Sequence, residues 1–348
     1  MGFPELSDRE RRVLEAVIQS YVETAEPAGS RTISRRFGLG VSPATIRNTM
    51  SDLEEKGYLY HPHTSAGRVP TDVAYRLYVD SLLMRAAPIA SSDRDLLAEK
   101  LSAGGGSTIE TILRRAAQSL SVLTQELGMA VGPRLDQIVL QRLELVRLSS
   151  ERLVLVLSLH GGVVRQIFVE VSERIADNAL AEVSMVLNER LAGLTLREIR
   201  ASLAARLRDA NPASGTRELL NIFVQERDSI FDDPLRRDEG LVLGQTSMLA
   251  EQPEFSSSDQ MRRLLALTES NEQLTELIRR RHVNPGLSIT IGNEHGDPRF
   301  ENFTIVTSEY RAGSLSGVIG VIGPTRMPYE KVIAVVTHAS RLVSDLLD

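Results

Sequence analysis

Residues 42–57 (SPATIRNTMSDLEEKG) constrain the fold more tightly than any other stretch of this sequence. Ser42 can accept hydrogen bonds from the free N–H groups of a first helical turn, and Pro43 suits the first helical position. Gly57 suits the left-handed conformation that ends many helices. The stretch therefore predicts a capped helix of about four turns.

The two faces of this helix differ in chemistry. Ile46, Met50 and Leu53 recur at helical spacing and predict the face that packs on a core. The opposite face carries small residues, a bidentate donor and an amide, namely Ala44, Arg47, Asn48 and Ser51. These residue types read base edges in a DNA major groove. An ordinary solvated helix would show a similar pattern, so the interpretation depends on the neighbouring segments.

Those neighbouring segments complete a larger motif. Residues 30–37 (SRTISRRF) predict a short helix with Ser30 as its cap, and GLGV at 38–41 predicts a tight turn. Residues 58–70 (YLYHPHTSAGRVP) predict a β-hairpin after the second helix. Helix, turn, helix and hairpin form the winged helix-turn-helix arrangement, in which the second helix enters the major groove.

Positive charge is concentrated on this motif although the chain is acidic overall, with a net charge of −6. Residues 27–51 contain four arginines and no acid, and the hairpin contains Arg68, His61 and His63 and no acid. Positive charge concentrated in this way favours sequence-specific binding positioned by phosphate contacts over non-specific binding of nucleic acid. The alternative is that these arginines are simply solvated.

We predict that Arg47 and Asn48 read bases. Arg31, Arg35 and Arg68 are predicted to hold phosphates. Ser42, Thr45 and Ser51 are predicted to contact the DNA backbone or base edges. The complete predicted DNA-binding set is Ser30, Arg31, Arg35, Ser42, Ala44, Thr45, Arg47, Asn48, Ser51, His63, Ser65 and Arg68.

Residues 29–80 resemble the N-terminal winged helix of the HrcA family, the heat-inducible repressors of bacterial chaperone operons. The most specific part is HTSAGRVPTDVAYRLYVD at 63–80. The resemblance returns at 313–336 (GSLSGVIGVIGPTRMPYEKVIAVV), which also looks like the last strand and helix of a GAF-like domain.

The resemblance implies a homodimer that represses chaperonin and DnaK-type operons by occluding the promoter at an inverted repeat of the CIRCE type. It also implies dimerisation through an inserted segment and dependence on the GroEL chaperonin, which heat diverts to unfolded clients. GAF-like domains often hold small ligands, so a metabolite-responsive repressor is the alternative.

Strand-like and helical runs predict an α+β multidomain protein. Three consecutive strands are predicted at 138–148, 152–159 and 163–171, with Gly161 and Gly162 as the turn between the last two. The predicted domains are a winged-helix DNA-binding domain at 1–88, a linker at 89–107, a GAF-like domain at 108–174 and 256–348, and an inserted, dimerising segment at 175–255. A long helix is predicted from 109 to 127 with Thr108 as its cap, and the glycine-rich run at 102–107 is interpreted as a flexible connector.

Several functions are excluded or disfavoured by what the sequence lacks. It contains no cysteine, which excludes disulfides and thiolate chemistry. It offers no H-x-x-x-H pair, nucleophile elbow or phosphate-binding loop, so we expect no enzyme, metal or cofactor. Glu54 and Glu55 are interpreted as solvated charge, and His160 and His295 as turn residues.

Without an apolar run of about 20 residues or a signal peptide, the protein is expected in the bacterial cytoplasm, at the nucleoid when bound to DNA.

One further reading treats the second half of the chain as an enzyme or an interaction scaffold, with an incidental winged helix.

Overall fold

The structure, a computed structural model, describes residues 5–63, 66–85, 88–102, 108–133, 138–160, 164–171, 175–208, 214–226, 230–231, 240–269, 274–278, 286–313 and 315–347. The chain divides into two compact units. Unit 1 comprises Met1–Ala130, Val242–Glu309 and Val318–Val343, and unit 2 comprises Val131–Leu241, Tyr310–Gly317 and Ser344–Asp348.

Unit 1 begins with three helices, a hairpin and a fourth helix. These are α1 (Asp8–Thr24), α2 (Ser30–Phe37), α3 (Pro43–Glu55), β1 (Leu59–Tyr60), β2 (Val69–Pro70) and α4 (Asp72–Arg85). Strands β1 and β2 pair antiparallel. The α1 N-terminus has a complete capping box, in which Ser7 and Glu10 satisfy each other's backbone amides.

The predicted linker at 89–107 is not a plain connector in the residues that the structure describes. Helix α5 (Ser91–Ser102) occupies most of it, with Leu97 and Leu101 buried against the following helix. Two leucines spaced one turn apart on a helix can bury one face, which explains why this segment is ordered. The glycine run at 104–106 lies outside the described residues.

Helix α6 (Ile109–Thr124) is capped by Thr108, as predicted, but ends three residues before Leu127. Gln125 adopts a left-handed conformation, and β3 (Leu127–Val131) follows. Strand β3 is buried along its whole length, so it shows no alternation that would have distinguished it from a helix.

A five-stranded sheet has the strand order β7-β3-β10-β9-β8. Its remaining strands are β7 (Leu241–Leu243), β8 (Leu287–Ile291), β9 (Phe303–Ala312) and β10 (Leu315–Pro324). The other helices of this part of the chain are α10 (Thr246–Ala250), α11 (Ser258–Glu269) and the closing helix α12 (Tyr329–Leu347). Ser308 of β9 and Ser340 of α12 share a buried hydrogen bond of 2.9 Å, which fixes the closing helix on the sheet.

Unit 2 is built on a second, three-stranded antiparallel sheet with the order β4-β5-β6. Its elements are β4 (Leu140–Arg147), β5 (Arg152–Leu159), β6 (Val164–Glu170), α7 (Asp177–Leu191), α8 (Leu196–Leu207) and α9 (Ser214–Gln225). Side chains from one sheet face and the three helices form a single core that includes Leu155, Leu187 and Phe223.

Asn188 of α7 fixes this packing. Its side chain accepts a hydrogen bond from the Leu143 amide at 2.8 Å and donates one to the Leu143 carbonyl at 2.7 Å. It therefore satisfies the free edge of β4 as a neighbouring strand would.

The division of the chain differs from the predicted inserted segment at 175–255. The strands β4, β5 and β6 were assigned to the GAF-like domain, but they pair with one another and share a core with α7, α8 and α9. The separate unit accordingly begins at Val131 and ends its main segment at Leu241. The glycine pair predicted to turn between β5 and β6 lies outside the described residues.

Candidate nucleic-acid interface

Helix α3 has the caps that its sequence predicts. The Ser42 hydroxyl accepts a hydrogen bond from the Thr45 amide at 3.1 Å, and Pro43 is the first helical residue. Lys56 follows the helix, and Gly57 adopts a φ of +80°, a left-handed conformation that favours glycine. Ile46, Thr49, Met50 and Leu53 are buried, so the apolar stripe packs on the core.

Helix α2 meets α3 through a tight turn in which Gly38 and Gly40 both have positive φ, at +54° and +73°. Gly29 is its N-cap residue, not the predicted Ser30, and makes no side-chain cap hydrogen bond. Ser30 is the first helical residue and is buried.

The predicted contact residues differ in exposure. Ser42, Ala44, Arg47 and Asn48 are exposed on one side of α3, whereas Thr45 and Ser51 are half-buried. Arg31, Arg35 and His63 are exposed, and Arg68 is half-buried. Ser65 lies outside the described residues. The structure therefore brings the exposed half of α3 together with α2, and leaves the Ser30 side chain away from the surface.

Three arginines at this surface are uncommitted. Arg31, Arg35 and Arg47 have no ion-pair or hydrogen-bond partner among the residues that the structure describes. Arg36, by contrast, pairs with Glu23. Uncommitted, exposed guanidinium groups remain available for phosphates or base edges.

The hairpin is joined to the chain segment that precedes α2. Ala28 and Arg68 exchange two backbone hydrogen bonds, of 2.8 and 2.9 Å. Gly67 makes this approach possible, because a Cβ at that position would lie 2.4 Å from the Ala28 carbonyl oxygen. This close approach explains why the third position of the SAGR sequence is a glycine.

Glu54 is not the solvated carboxylate that we expected. It accepts hydrogen bonds from His61 at 2.7 Å and pairs with Arg68 at 2.8 Å, so it joins the end of α3 to the hairpin. Sequence analysis missed this residue because the acid comes from the helix, while the two basic partners come from a segment without acids. The spacing of seven residues between Glu54 and His61 gave no signal.

Lys56 and Glu10 hold α3 on α1. The Lys56 ammonium donates to the Glu10 carboxylate at 2.7 Å. This hydrogen bond, with two more from Ser7, lowers the pKa of Glu10 to about 2. The carboxylate stays charged at neutral pH and holds the C-terminal end of α3 against α1.

Two arginines connect these helices to the rest of unit 1. Arg326 donates to the Val22 carbonyl of α1 at 2.6 Å and forms a bidentate pair with Glu254. Arg76 of α4 bonds to Glu294 and to a strand carbonyl. Arg326 and Val22 are 304 residues apart in sequence, and Arg76 and Glu294 are 218 residues apart, which is why sequence spacing gave no hint of these contacts.

The part of the chain that the structure describes lacks metal-binding clusters and membrane-spanning helices. It contains no group of three or more His, Asp or Glu side chains placed to hold a metal ion. His295 is buried, with its Nε2 atom 2.9 Å from the Phe303 carbonyl oxygen, and is therefore more than a turn residue. Among the described helices, none has the length and apolar character needed to cross a membrane.

Comparison with known proteins finds relatives that match this chain along its whole length. A heat-inducible transcription repressor HrcA from Chlorobium phaeobacteroides is 41% identical over 357 residues and covers 100% of both chains. A protein of the same name from Geobacter sulfurreducens is 39% identical over 345 residues, with 99% of each chain covered. A solved structure titled only as a hypothetical protein has a TM-score of 0.74, 24% identity and 99% coverage of both chains, and supports the fold alone.

The class defined by these full-length relatives is that of transcription repressors. The family profile described as "HrcA protein C terminal domain" matches residues 110–333. The chain belongs to the HrcA family of heat-inducible transcription repressors.

Proposed function

We propose that residues 1–88 form a winged helix-turn-helix that binds DNA sequence-specifically, with α3 in the major groove and the β1–β2 hairpin as the wing. The observation that carries this proposal is the surface of α2 and α3. It presents Arg31, Arg35 and Arg47, exposed and without partners among the described residues, beside Asn48. Such a surface combines phosphate contacts with base readout.

Each contact residue in the described part of the chain has a role that its position supports. Arg47 and Asn48 read base edges from the exposed side of α3, with Ala44 close to a base. Ser42, Thr45 and Ser51 contact the DNA backbone or base edges at the helix start and side. Arg31 and Arg35 hold phosphates from α2, and Arg68 and His63 do so from the wing. Ser65, which lies outside the described residues, stays a predicted contact. Ser30 contributes through its backbone, because its side chain is buried.

The repressor acts as a homodimer, in our proposal, because an inverted-repeat operator needs two recognition helices related by a two-fold axis. Unit 2 is the inferred source of the dimer contact. Its sheet has an outer row in which Val146, Val154 and Phe168 lie side by side on adjacent strands. Phe168 is 60% exposed and Val146 is 45% exposed, whereas Val154, between them on the central strand, is only 8% exposed. An apolar row of this kind is typical of a protein contact surface.

Family membership supports the remaining parts of the proposal. The target is a CIRCE-type inverted repeat upstream of chaperonin and DnaK-type operons, and repression follows from occlusion of the promoter. The body that carries the five-stranded sheet is GAF-like. The GroEL chaperonin maintains the active fold, and the protein works in the bacterial cytoplasm without an enzymatic activity or a cofactor.

Substitution of the recognition helix tests the central role. Arg47→Ala and Asn48→Ala should each weaken binding to the operator by about tenfold to a hundredfold and relax discrimination at the contacted base pair, as loss of a bidentate base contact does. Fluorescence anisotropy with operator and scrambled duplexes measures both effects. Arg94→Ala, an exposed arginine of α5, is the matched control. Unchanged operator affinity in both α3 variants would rule out the assignment.

The chaperonin proposal needs a separate measurement. Protein recovered from heat or denaturant should regain operator binding faster and to a higher final level with GroEL and ATP than without them. Equal recovery in both conditions would remove the chaperonin from the account and leave the DNA-binding proposal intact.

A further inference from the structure

Three polar side chains meet where the end of α3 faces the β1–β2 hairpin. One oxygen of the Glu54 carboxylate lies 2.7 Å from His61 Nδ1, and the other lies 2.8 Å from Arg68 Nη2. The three side chains are partly shielded from solvent, with exposed fractions of 31% for Glu54, 32% for His61 and 14% for Arg68. Partial shielding makes the charge on each group more important to its neighbours than it would be on an open surface.

The hydrogen bond between His61 and Glu54 fixes which imidazole nitrogen already carries a proton. An ionised carboxylate only accepts hydrogen bonds, so the Nδ1–H group of His61 donates to Glu54. The Nε2 atom has no hydrogen-bond partner among the described residues. Histidine is the side chain whose ordinary titration falls between about pH 5 and 8. Nε2 is therefore a proton-binding atom beside the Glu54–Arg68 pair.

The charge of this cluster depends on that proton. With a neutral His61, the charges of Glu54 and Arg68 cancel, and with a protonated His61 the cluster carries one net positive charge. Glu54 from α3 and Arg68 from the returning arm of the hairpin are the charged groups that the cluster contains in the described part of the chain. His63, the other titratable residue of the hairpin, is exposed and makes no ion pair among the described residues.

We propose that His61 is a positioning residue that links the DNA contact of Arg68 to the uptake of a proton. His61 acts on the proposed winged-helix interface, so this role rests on the proposed DNA binding. When the Arg68 guanidinium turns to a phosphate, Glu54 loses its ion-pair partner. His61 then takes up a proton from solvent at Nε2, and the imidazolium pairs with Glu54 in place of Arg68.

The exchange of partners sets the direction of the pH dependence. The complex with DNA holds more protons than the free protein and free DNA, so the association constant falls as the pH rises. The uptake is limited to about one proton per protomer, which corresponds to about a tenfold loss of affinity per pH unit for each protomer. This dependence is confined to the range in which histidine titrates, about pH 5 to 8.

Isothermal titration of the whole chain with a CIRCE-type duplex, in buffers of different ionisation enthalpy, counts the protons taken up on binding. Near pH 7, the wild type should take up more protons than His61→Gln, by up to about one per protomer. His63→Gln, measured in the same way, gives the separate contribution of the exposed neighbouring histidine. The matched control is His160→Gln, an exposed histidine of unit 2, which should keep the proton uptake of the wild type.

A purely structural role for His61 predicts a different result. If its hydrogen bond to Glu54 only held the hairpin in place, His61→Gln would lower the operator affinity by the same factor at pH 6 and pH 8 and would leave proton uptake unchanged. That result would overturn the proposal, as would an equal loss of uptake in His160→Gln. A wild-type protein that binds no operator at any pH would overturn the proposed DNA interface as well.

Discussion

At the residue scale, the arginines of the DNA-binding region fall into two groups. Arg31 and Arg47 are exposed and have no partner among the described residues, whereas Arg68 is held by Glu54 at 2.8 Å. Glu54 occupies the place at the Arg68 guanidinium that a DNA phosphate would take, since both are oxyanions. In the proposed DNA complex, Glu54 therefore competes with a phosphate for the Arg68 guanidinium.

Glu54→Gln should increase the salt dependence of DNA binding. With the carboxylate neutralised, Arg68 becomes available to one more phosphate, and the slope of log K against log salt should steepen by up to about 1. Anisotropy titrations at several salt concentrations measure the slope. Glu55→Gln, on the exposed neighbouring residue, removes an equal charge without touching Arg68 and should change the slope less. Equal slopes for the two variants would show that the Glu54–Arg68 pair has no such role.

The sequence was most informative about residues whose role is local. The Ser42 cap, the Gly57 stop signal and the buried stripe of α3 all follow from spacing within one helix, and each is confirmed. Glu54 was misinterpreted because its partners lie on another element, and a carboxylate on a helix surface looks the same with or without them. Local patterns predict caps and faces, whereas contacts between elements need the folded chain.

At the element scale, the position of α3 depends on its attachment to α1. The apolar stripe of α3 buries Ile46 and Leu53, and the Lys56–Glu10 pair closes the end of the helix. The pair is largely shielded, with Glu10 only 8% exposed, which makes the charge-assisted hydrogen bond stronger than a surface pair.

The Glu10 pair predicts an acid-sensitive contribution to stability. Its pKa is lowered from 4.5 to about 2 in the folded protein, so the unfolded chain takes up the proton first as pH falls. The stabilisation, about 2 kcal/mol for a hydrogen bond between charged groups, should be complete above pH 4.5 and lost between pH 4.5 and 2. Denaturant unfolding of wild type and Glu10→Gln across this range measures it.

The difference in the free energy of unfolding between wild type and Lys56→Met should fall over the same pH range, because this substitution removes the lysine partner of the Glu10 carboxylate. A difference in the free energy of unfolding between wild type and these variants that stays constant from pH 7 down to pH 2 would contradict the role of the Lys56–Glu10 pair.

The helices and strands also show which elements the sequence patterns predict and which they miss. The strands β4, β5 and β6 were predicted within a residue or two of their observed bounds. Helix α5 was missed because only Leu97 and Leu101 mark its buried face, and β3 was missed because a fully buried strand has no alternating pattern. A strand's existence follows from its own residues, but its sheet depends on its pairing partners, so β4 to β6 were assigned to the wrong sheet.

At the scale of the whole molecule, the proposed binding to an inverted repeat requires two copies of the chain. The outer row of Val146, Val154 and Phe168 is the feature of unit 2 that a second copy would cover. Arg326 and Arg76 in unit 1 connect α1 and α4 to distant chain segments, so the positions of α1 and α4 are coupled to the body that carries the five-stranded sheet.

Phe168→Lys should weaken the dimer at least tenfold, because it places a charge in an apolar contact. Sedimentation equilibrium measures the dissociation constant. Met84→Lys is the control, since Met84 is 88% exposed in unit 1 and should not affect dimerisation. A dimer that is equally stable in both variants would place the contact on another surface.

A hydroxyl-radical footprint on promoter DNA upstream of the host's chaperonin genes tests whether α3 lies in the major groove. We expect two protected half-sites related by a two-fold axis, with their centres separated by a multiple of about 10 base pairs. Protection should be lost with Arg47→Ala and retained with Arg94→Ala. A wild-type footprint without two-fold symmetry, or one that Arg47→Ala leaves unchanged, would contradict the placement of α3 in the major groove.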